Sequence, residues 1–465
     1  MTPGERGRPV TEGRFLSPTM LGLAGGAILV PLNSTMLAVA LPSIMTEFTV
    51  GPATVASLVT LYLGAVAVAL PASGSLGDRF GHQRMFLLGV IGFAVASVIA
   101  ATAASFAVLA LSRVLQAASG ALVSTSSAAL VRETAPAERR GAAFGLFDML
   151  VSTSAAVGPF IGGVIVGAFD WRTLFFVSVP IALAAAAAVA LMARRRPAGA
   201  APARRSLDLL GLALLAALLI AVLAAFGAIA SPGLDRVAGL AVLPLLVAFL
   251  LYELRSPNPA VDPRLFASRP FAAAVAGVAG ATVVLHATFV LVPLLVEGLQ
   301  RRDPTTAGLV LLGISALGVV AAPIGGRLSD RVGRRRPAVA GMVVCAIGLA
   351  LLWRTAPTAT PLVLGALLGV VGFGMGLSGS PRQAAAFETV GPERAGMAAG
   401  TYFTGRYLGG VLGASLAGVV LGSSVTAAGV ATGFGLAAIV AVGVVVASFG
   451  LPGRRTQEAG TSVAA

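Results

Sequence analysis

The sequence predicts an all-α polytopic membrane protein with 14 transmembrane helices in a 6+2+6 arrangement and both termini cytoplasmic. Three observations lead there. Of its 465 residues 57% are hydrophobic and only 11% charged, whereas a soluble chain carries about 25% charged residues to wet its surface. Fourteen apolar stretches are each long enough to cross a hydrocarbon core about 30 Å thick. The basic residues, all 32 of them arginine, are gathered in alternate connections.

In chain order the spans lie near 18–42, 53–73, 85–104, 106–131, 141–168, 172–193, 208–230, 237–253, 270–298, 305–326, 337–355, 360–380, 395–421 and 427–450. Their Ala/Leu/Val/Gly runs lack a two-residue alternation, so they read as helices rather than barrel strands. The 58 glycines fit, because small residues let membrane helices approach closely. Alternate segments, starting from the first, hold 25 arginines; the intervening loops hold only Arg172, Arg236, Arg301, Arg302 and Arg354. The arginine-rich side is then cytoplasmic, and an even number of spans places both termini there. Trp171 and Trp353 fall at outer ends, where aromatic belts form. Arg14, the apolar run after it and Ala38-Val39-Ala40 imitate a cleavable leader, but the run is too long for one.

The net charge of +14 is therefore a topology signal. A nucleic-acid binder would carry its arginines on a folded aqueous domain, and no aqueous segment here exceeds about 20 residues. A single cysteine, Cys345, excludes a disulfide scaffold and a cysteine-based zinc site. A polytopic membrane enzyme would need a cluster such as H-E-x-x-H or a Ser/His/Asp set. The two histidines, His82 in a loop and His286 in a span, stand alone. The expectation is no enzyme, no cofactor and no metal; the partners are a small molecule and the lipid bilayer, and the chain is expected to be a monomer.

An internal repeat divides the molecule. The connection after the second span reads Gly74-Ser75-Leu76-Gly77-Asp78-Arg79-Phe80-Gly81-His82-Gln83-Arg84. The one after the tenth reads Gly326-Arg327-Leu328-Ser329-Asp330-Arg331-Val332-Gly333-Arg334-Arg335-Arg336. Both are G-x-L-x-D-R-x-G followed by basic residues, 252 positions apart, which argues for a duplicated half. The organisation is then a tail at 1–17, a six-helix bundle at 18–193, a basic linker at 194–207, two inserted helices at 208–253, a loop at 254–269, a second bundle at 270–450 and a tail at 451–465. In each copy the glycines (Gly74 and Gly81, Gly326 and Gly333) permit a tight turn and close helix approach, and the Asp can accept donors at a helix start. Arg79, Arg84 and Arg331 stay at the anionic surface. The pair reads as gating latches between the halves.

These residues are similar to the signature loops of the major facilitator superfamily, and further motifs resemble its fourteen-helix drug:proton antiporters. Arg113-Val114-Leu115-Gln116-Ala117-Ala118-Ser119-Gly120 resembles R-x-x-Q-G-x-G-G, with Ala117 and Ser119 in place of two glycines. Gly145, Ser154 and Gly158-Pro159-Phe160-Ile161-Gly162-Gly163 resemble the antiporter signature, with Ser154 where glycine is usual. Trp171-Arg172-Thr173-Leu174-Phe175 and Arg406-Tyr407-Leu408-Gly409-Gly410-Val411-Leu412-Gly413 match segments of the same group. In the first span Asn33-Ser34-Thr35 stands where the group often has Asp-Ser-Thr. The resemblance implies proton-coupled efflux of amphipathic drugs or natural products by alternating access, in a bacterial cell membrane. A metabolite importer or facilitator of the same architecture is the alternative.

Charges inside spans are costly and mark candidate sites. Arg113 and Asn33 lie at similar depths and should meet across the first half. Arg406 lies near the midplane of span 13, at the depth where such cavities bind substrate. Tyr402 and Phe403, on about the same face, could stack on a planar ligand or pack between helices. Asp148 could accept a proton or pair with loop arginines. His286 could titrate near neutral pH or be a hydrogen-bonded interior residue. Gln116 completes the substrate and proton pathway, while Gly158-Pro159 and Gly162-Gly163 should bend span 5 and let it pack tightly. Glu297 is expected at the interface.

Overall fold

A computed structural model describes residues 18–134, 140–193, 208–225, 234–257, 263–388, 395–422 and 424–453, with 259, 261 and 390. The first span is α1 (Pro18–Met36), a 3-10 turn (Leu37–Ala40) and α2 (Leu41–Glu47). The rest of the first half is α3 (Pro52–Phe80), α4 (His82–Ala101), α5 (Phe106–Thr134), α6 (Arg140–Ala168) and α7 (Thr173–Ala193). An inserted pair, α8 (Leu209–Ala225) and α9 (Leu234–Arg255), follows. The second half is α10 (Arg269–Pro293) with a π-helical turn (Leu294–Leu299), α11 (Pro304–Val332), α12 (Arg335–Thr355), α13 (Pro361–Glu388), α14 (Ala395–Leu421) and α15 (Ala427–Ser448).

Among the described residues thirteen helices are long and apolar enough to span a bilayer. The predicted span at 208–230 coincides with α8 over Leu209–Ala225, and the rest of that span lies outside the described residues. Local chemistry sets many boundaries. Asp303 caps α11 by accepting the Thr306 amide at 2.9 Å and its hydroxyl at 2.7 Å, which lowers its carboxyl pKa. Proline then stands in the first turn, as it does in α3 and α10. Asp208 accepts the Gly211 amide at 2.9 Å and the Tyr252 hydroxyl at 2.7 Å, capping α8 while tying it to α9.

The repeated segments differ from expectation. Helices α3 and α11 run through Asp78-Arg79 and Asp330-Arg331, so the two Asp residues sit at helix ends, not starts. Only Gly81 (φ 92°) and Gly333 (φ 86°) form the turn, in a conformation that a β-carbon disfavours. Gly74 and Gly326 make no close helix approach. In this conformation the ion pairs of these segments lie within each half. Asp78 pairs with His82 at 3.3 Å. Asp330 pairs with Arg334 at 2.6 Å, and Arg334 also pairs with Glu388 at the end of α13. Those carboxylates raise the Arg334 pKa, and every partner lies in the same half as its arginine. Arg79 instead sits over the Phe80 ring at 5.2 Å, and Arg84 and Arg331 are exposed.

The distribution of the apolar core explains why these loops do not meet. We call the end bearing the repeated segments the basic end and the opposite one the far end. Towards the far end one buried cluster is common to both halves, joining Leu37, Leu41, Ile44 and Leu58 to Val290, Leu294, Leu311 and Ala417. Towards the basic end there are two. Leu23, Phe86, Val131 and Val189 belong to the first half; Phe271, Ala338, Ala386 and Leu451 belong to the second. Among the described residues the halves thus share a buried core at the far end and have separate ones at the basic end.

Small residues make the far-end seam. A methyl on Gly308 of α11 would lie 2.7 Å from the Pro159 carbonyl oxygen of α6 and 3.1 Å from the Gly163 α-carbon. Thr305 donates to the Gly163 carbonyl at 3.3 Å across the same seam. On the other side a methyl on Gly418 of α14 would lie 3.2 Å from the Ala53 α-carbon of α3. The inserted pair covers that side, with Leu215, Leu219 and Phe249 packing around Ala67 of α3 and against Tyr407 and Leu408 of α14.

Within the first half the far end is tied by Glu47, which accepts Arg172 at 2.5 and 2.8 Å and the Trp171 indole at 2.6 Å. Trp171 is therefore buried rather than part of a lipid-facing belt; Trp353 is 50% exposed and suits one.

Gly308→Leu should hold the far ends apart while each half keeps its own core. With Cys345→Ala as background, a cysteine replacing Leu37, 1% exposed in the seam, should be inert to membrane-impermeant maleimide and become reactive once Gly308→Leu is added. Equal labelling in both backgrounds would show that the glycine contact does not close this end.

Candidate functional site

Arg113 of α5 is completely buried and organises the first half. Its Nη1 donates to the Asn33 Oδ1 of α1 and, at 2.8 Å, to the Gln116 Oε1. Gln116 Nε2 donates onward to Ser97 Oγ at 2.8 Å. Asn33 Nδ2 donates to Ser178 Oγ of α7 at 3.2 Å. The guanidinium lies over the Tyr62 ring of α3 at 4.0 Å and near the Phe175 ring at 5.9 Å. Tyr62 is held by its hydroxyl donating to the Val30 carbonyl at 3.2 Å.

The expected Arg113–Asn33 meeting is therefore present, and five helices converge on it. The charge is held by amide oxygens and aromatic faces, while its Nε has no partner. Among the described residues none of the ion pairs includes Arg113. Arg113, Gln116 and Asn33 are all shielded from solvent, so none of them lines the space between the halves.

A second group does border that space. Gly410 of α14 packs against Leu63 of α3 and against the His286 ring of α10; a methyl there would lie 2.9 Å from Leu63 and 3.1 Å from the imidazole. Arg406, one turn nearer the basic end on the same helix face, is exposed. Its position, 11 residues into α14, is roughly 17 Å from the basic end at ~1.5 Å per residue. Thr282 joins the two helices by donating to the Arg406 carbonyl at 2.8 Å, and the His286 Nδ1 lies 3.0 Å from the Thr282 carbonyl. The half-buried imidazole has an edge-on ring contact with Phe289 at 6.1 Å. Arg406 and His286 thus flank one seam where the shared core gives way to the open basic end.

Of the two readings open for Tyr402 and Phe403, stacking on a ligand or packing between helices, the contacts here are of the packing kind. Tyr402 is buried within the second half, edge-on to Phe387 at 5.6 Å and to Phe403 at 5.8 Å. The reason is that α13 continues to Glu388, past the predicted limit of 380, and brings Phe387 against it. The same extension buries Arg382, which lies beyond the predicted span limit of 380. Its Nη1 donates to Ser378 Oγ at 2.9 Å, and its stem occupies the space that Gly277 leaves open. Tyr62 was also missed: nothing in an apolar run distinguishes the one ring that will face a guanidinium.

The glycines of span 5 face two directions. Gly158 and Gly162 pack on Thr35 and on the Met36 backbone within the first half, while Gly163 meets Gly308 of the second. Pro159 stands inside α6, and Ser154 donates to the Val151 carbonyl at 2.7 Å. Gly145 lies in the same helix; its surroundings and the Asp148 side chain are outside the described residues.

The sequence profile of the Major Facilitator Superfamily matches residues 23–414 and also 280–463. The chain is 33% identical over 437 residues to a tetracenomycin C resistance and export protein of Streptomyces glaucescens, covering 91% of this chain and 78% of the relative. It is 31% identical to a puromycin resistance protein of Streptomyces alboniger (84% and 79% covered), and 29% identical to a multidrug resistance protein of Mycobacterium tuberculosis (88% and 76%). Among solved structures the fold resembles a peptide transporter, with a TM-score of 0.70 at 14% identity over 93% of this chain and 95% of that one. It also resembles a D-xylose–proton symporter, with a TM-score of 0.66 at 14% identity over 94% and 98%. Profile and relatives together show that this chain is a multi-pass membrane transporter that belongs to the Major Facilitator Superfamily.

Proposed function

We propose that the chain exports amphipathic, neutral or anionic organic compounds in exchange for protons, by alternating access, as a fourteen-helix antiporter of the bacterial cell membrane with its basic end in the cytoplasm. The observation that carries this reading is the asymmetry of the seam. A far end sealed by both halves and a basic end parted between them give a cavity that loads from the arginine-rich side. That side is cytoplasmic under the positive-inside rule. The names of the relatives, resistance and export among them, support outward movement of natural products. Arg406 supports the substrate lean, because an exposed guanidinium at that depth favours an acidic or hydrogen-bond-accepting group and repels a cation.

Arg113 serves the transport cycle through order rather than contact. Removing one partner from a buried charged network costs about 3–5 kcal/mol, so the network makes the first half a rigid body. Asn33 in place of Asp leaves this guanidinium without a counter-charge, and the coupling proton has to be carried elsewhere.

A drug and metabolite susceptibility panel on cells overexpressing the protein tests the reading directly. Resistance should appear to neutral or acidic amphiphiles and fall with Arg406→Ala, since a lost charged hydrogen bond of about 1.5–3 kcal/mol weakens binding roughly tenfold to a hundredfold. In inverted vesicles a protonophore should abolish accumulation of the same compounds. Resistance confined to quaternary ammonium compounds would overturn the substrate class, and accumulation indifferent to the proton gradient would overturn antiport.

Two substitutions test the buried network. Asn33→Leu should lower the melting temperature of the detergent-purified protein, because it strips a donor from Ser178 and an acceptor from Arg113. Asn33→Asp should fold and leave the substrate spectrum unchanged, since the position is sealed from the cavity; an altered spectrum would place residue 33 in contact with substrate.

A further inference from the structure

The structure assigns a proton-binding site to Glu297, on the π-helical turn that closes the far end, whose neutral form permits closure and whose ionised form opposes it. The assignment rests on the proposed antiport reading and supplies the carboxylate that Asn33 does not.

Three observations meet at this residue. The first is position. Glu297 belongs to Leu294–Leu299, which continues α10 into the far-end seam. Leu294, Leu295 and Val296, just before it, are buried in the cluster shared with Leu41 and Ile44 of α2 in the other half. The second is backbone form. The turn is π-helical, closed by Gln300 donating to the Leu295 carbonyl at 2.9 Å, and its exit passes through Arg301 with φ 56°. A π turn inside an α-helix is uncommon and frequent at functional sites, because the extra residue redirects one side chain without ending the helix. The third is the carboxyl itself. Its Oε1 is buried with no hydrogen-bond partner, and the residue as a whole is half-exposed. One oxygen is therefore sealed in the closed seam while the group retains access to solvent at the far side.

An ionised carboxylate needs water or donors around it, and a neutral one tolerates a site without them. The surroundings supply no cation in compensation. On α2 the charged group is Glu47, already occupied by Arg172. On α11 it is Asp303, a second negative charge acting on Glu297. Helix α15 carries no titratable residue. Arg301 and Arg302 of the connection are exposed, and His286 of α10 is three turns away. Of the other membrane-embedded acids, Glu253 lies in the inserted pair away from the α6–α11 seam. Glu297 is thus placed to make closure of the far end conditional on a proton taken from that side.

The test needs no substrate. With Cys345→Ala as background, nitroxide labels at Thr102→Cys and Thr360→Cys, both exposed at the far end in opposite halves, report its opening by double electron–electron resonance in lipid nanodiscs. Between about pH 5 and about pH 9 the wild-type distance distribution should move from short to long as pH rises. Glu297→Gln should stay short throughout, and Glu297→Asp should keep the response. A pH response that survives in Glu297→Gln, or a wild-type far end that ignores pH, overturns the site even if export proves to be proton-driven. A response abolished by Glu297→Gln in a protein whose vesicle export ignores the proton gradient supports the site and overturns the antiport reading alone.

Discussion

The architecture depends on how closely two helices from different halves can approach where nothing but packing holds them. Lipid tails solvate apolar side chains as well as a protein interior does, so membrane helices associate through dispersion contacts and a few hydrogen bonds. Dispersion falls steeply with distance, and glycine allows the shortest distance. At the far end Gly163 and Gly308 bring the α6 and α11 backbones into direct contact, with Thr305 donating across it. Between α6 and α11 this contact is made without long side chains, beside the cluster of Leu37, Leu41, Leu294 and Leu311 that the halves also share. The same economy is absent towards the basic end, where each half packs Phe86 or Phe271 into a private core.

Charge is distributed by the same division. Among the described residues a buried arginine in each half is held without an ion pair: Arg113 by amide oxygens and the Tyr62 face, Arg382 by the Ser378 hydroxyl. Such arrangements order the helices around them. Arg406 differs because it meets the opening. Its backbone carbonyl is fixed by Thr282 while its side chain is left exposed. Two of the described arginines within the helices are thus buried inside a half, and Arg406 is exposed beside the seam.

Most of the fold was legible because membrane insertion writes it into composition. Span positions, the duplication and the side carrying the arginines all followed from hydropathy and loop charge, and depth along the helix placed Asn33 beside Arg113. What was not legible depends on helix continuity and on tertiary neighbours. The predicted span stopped at 380, yet α13 continues through Pro381 to Glu388, because proline's missing donor is tolerable where its turn is packed by neighbours. That error of two turns put Arg382 in solution and freed Tyr402 to meet a ligand, when Phe387 in fact covers it. Glu297 was read as interfacial because periodicity carries no sign of a π turn.

The two copies of the repeated segment show what the motif contributes physically. In both, the helix runs on through the aspartate and stops at a glycine of positive φ, and the residue after that glycine returns to pair with the aspartate one turn back. That residue is His82 in one half and Arg334 in the other, and only Arg334 reaches further to Glu388. Surface pairs of this kind contribute about 0–1 kcal/mol each, so the pairing can differ between halves without cost to the fold. The stop itself cannot differ, because it fixes where α4 and α12 begin and hence their register against the helices that pack on them. Since every partner found for these groups lies within one half, the segments stiffen the basic rim of each bundle separately.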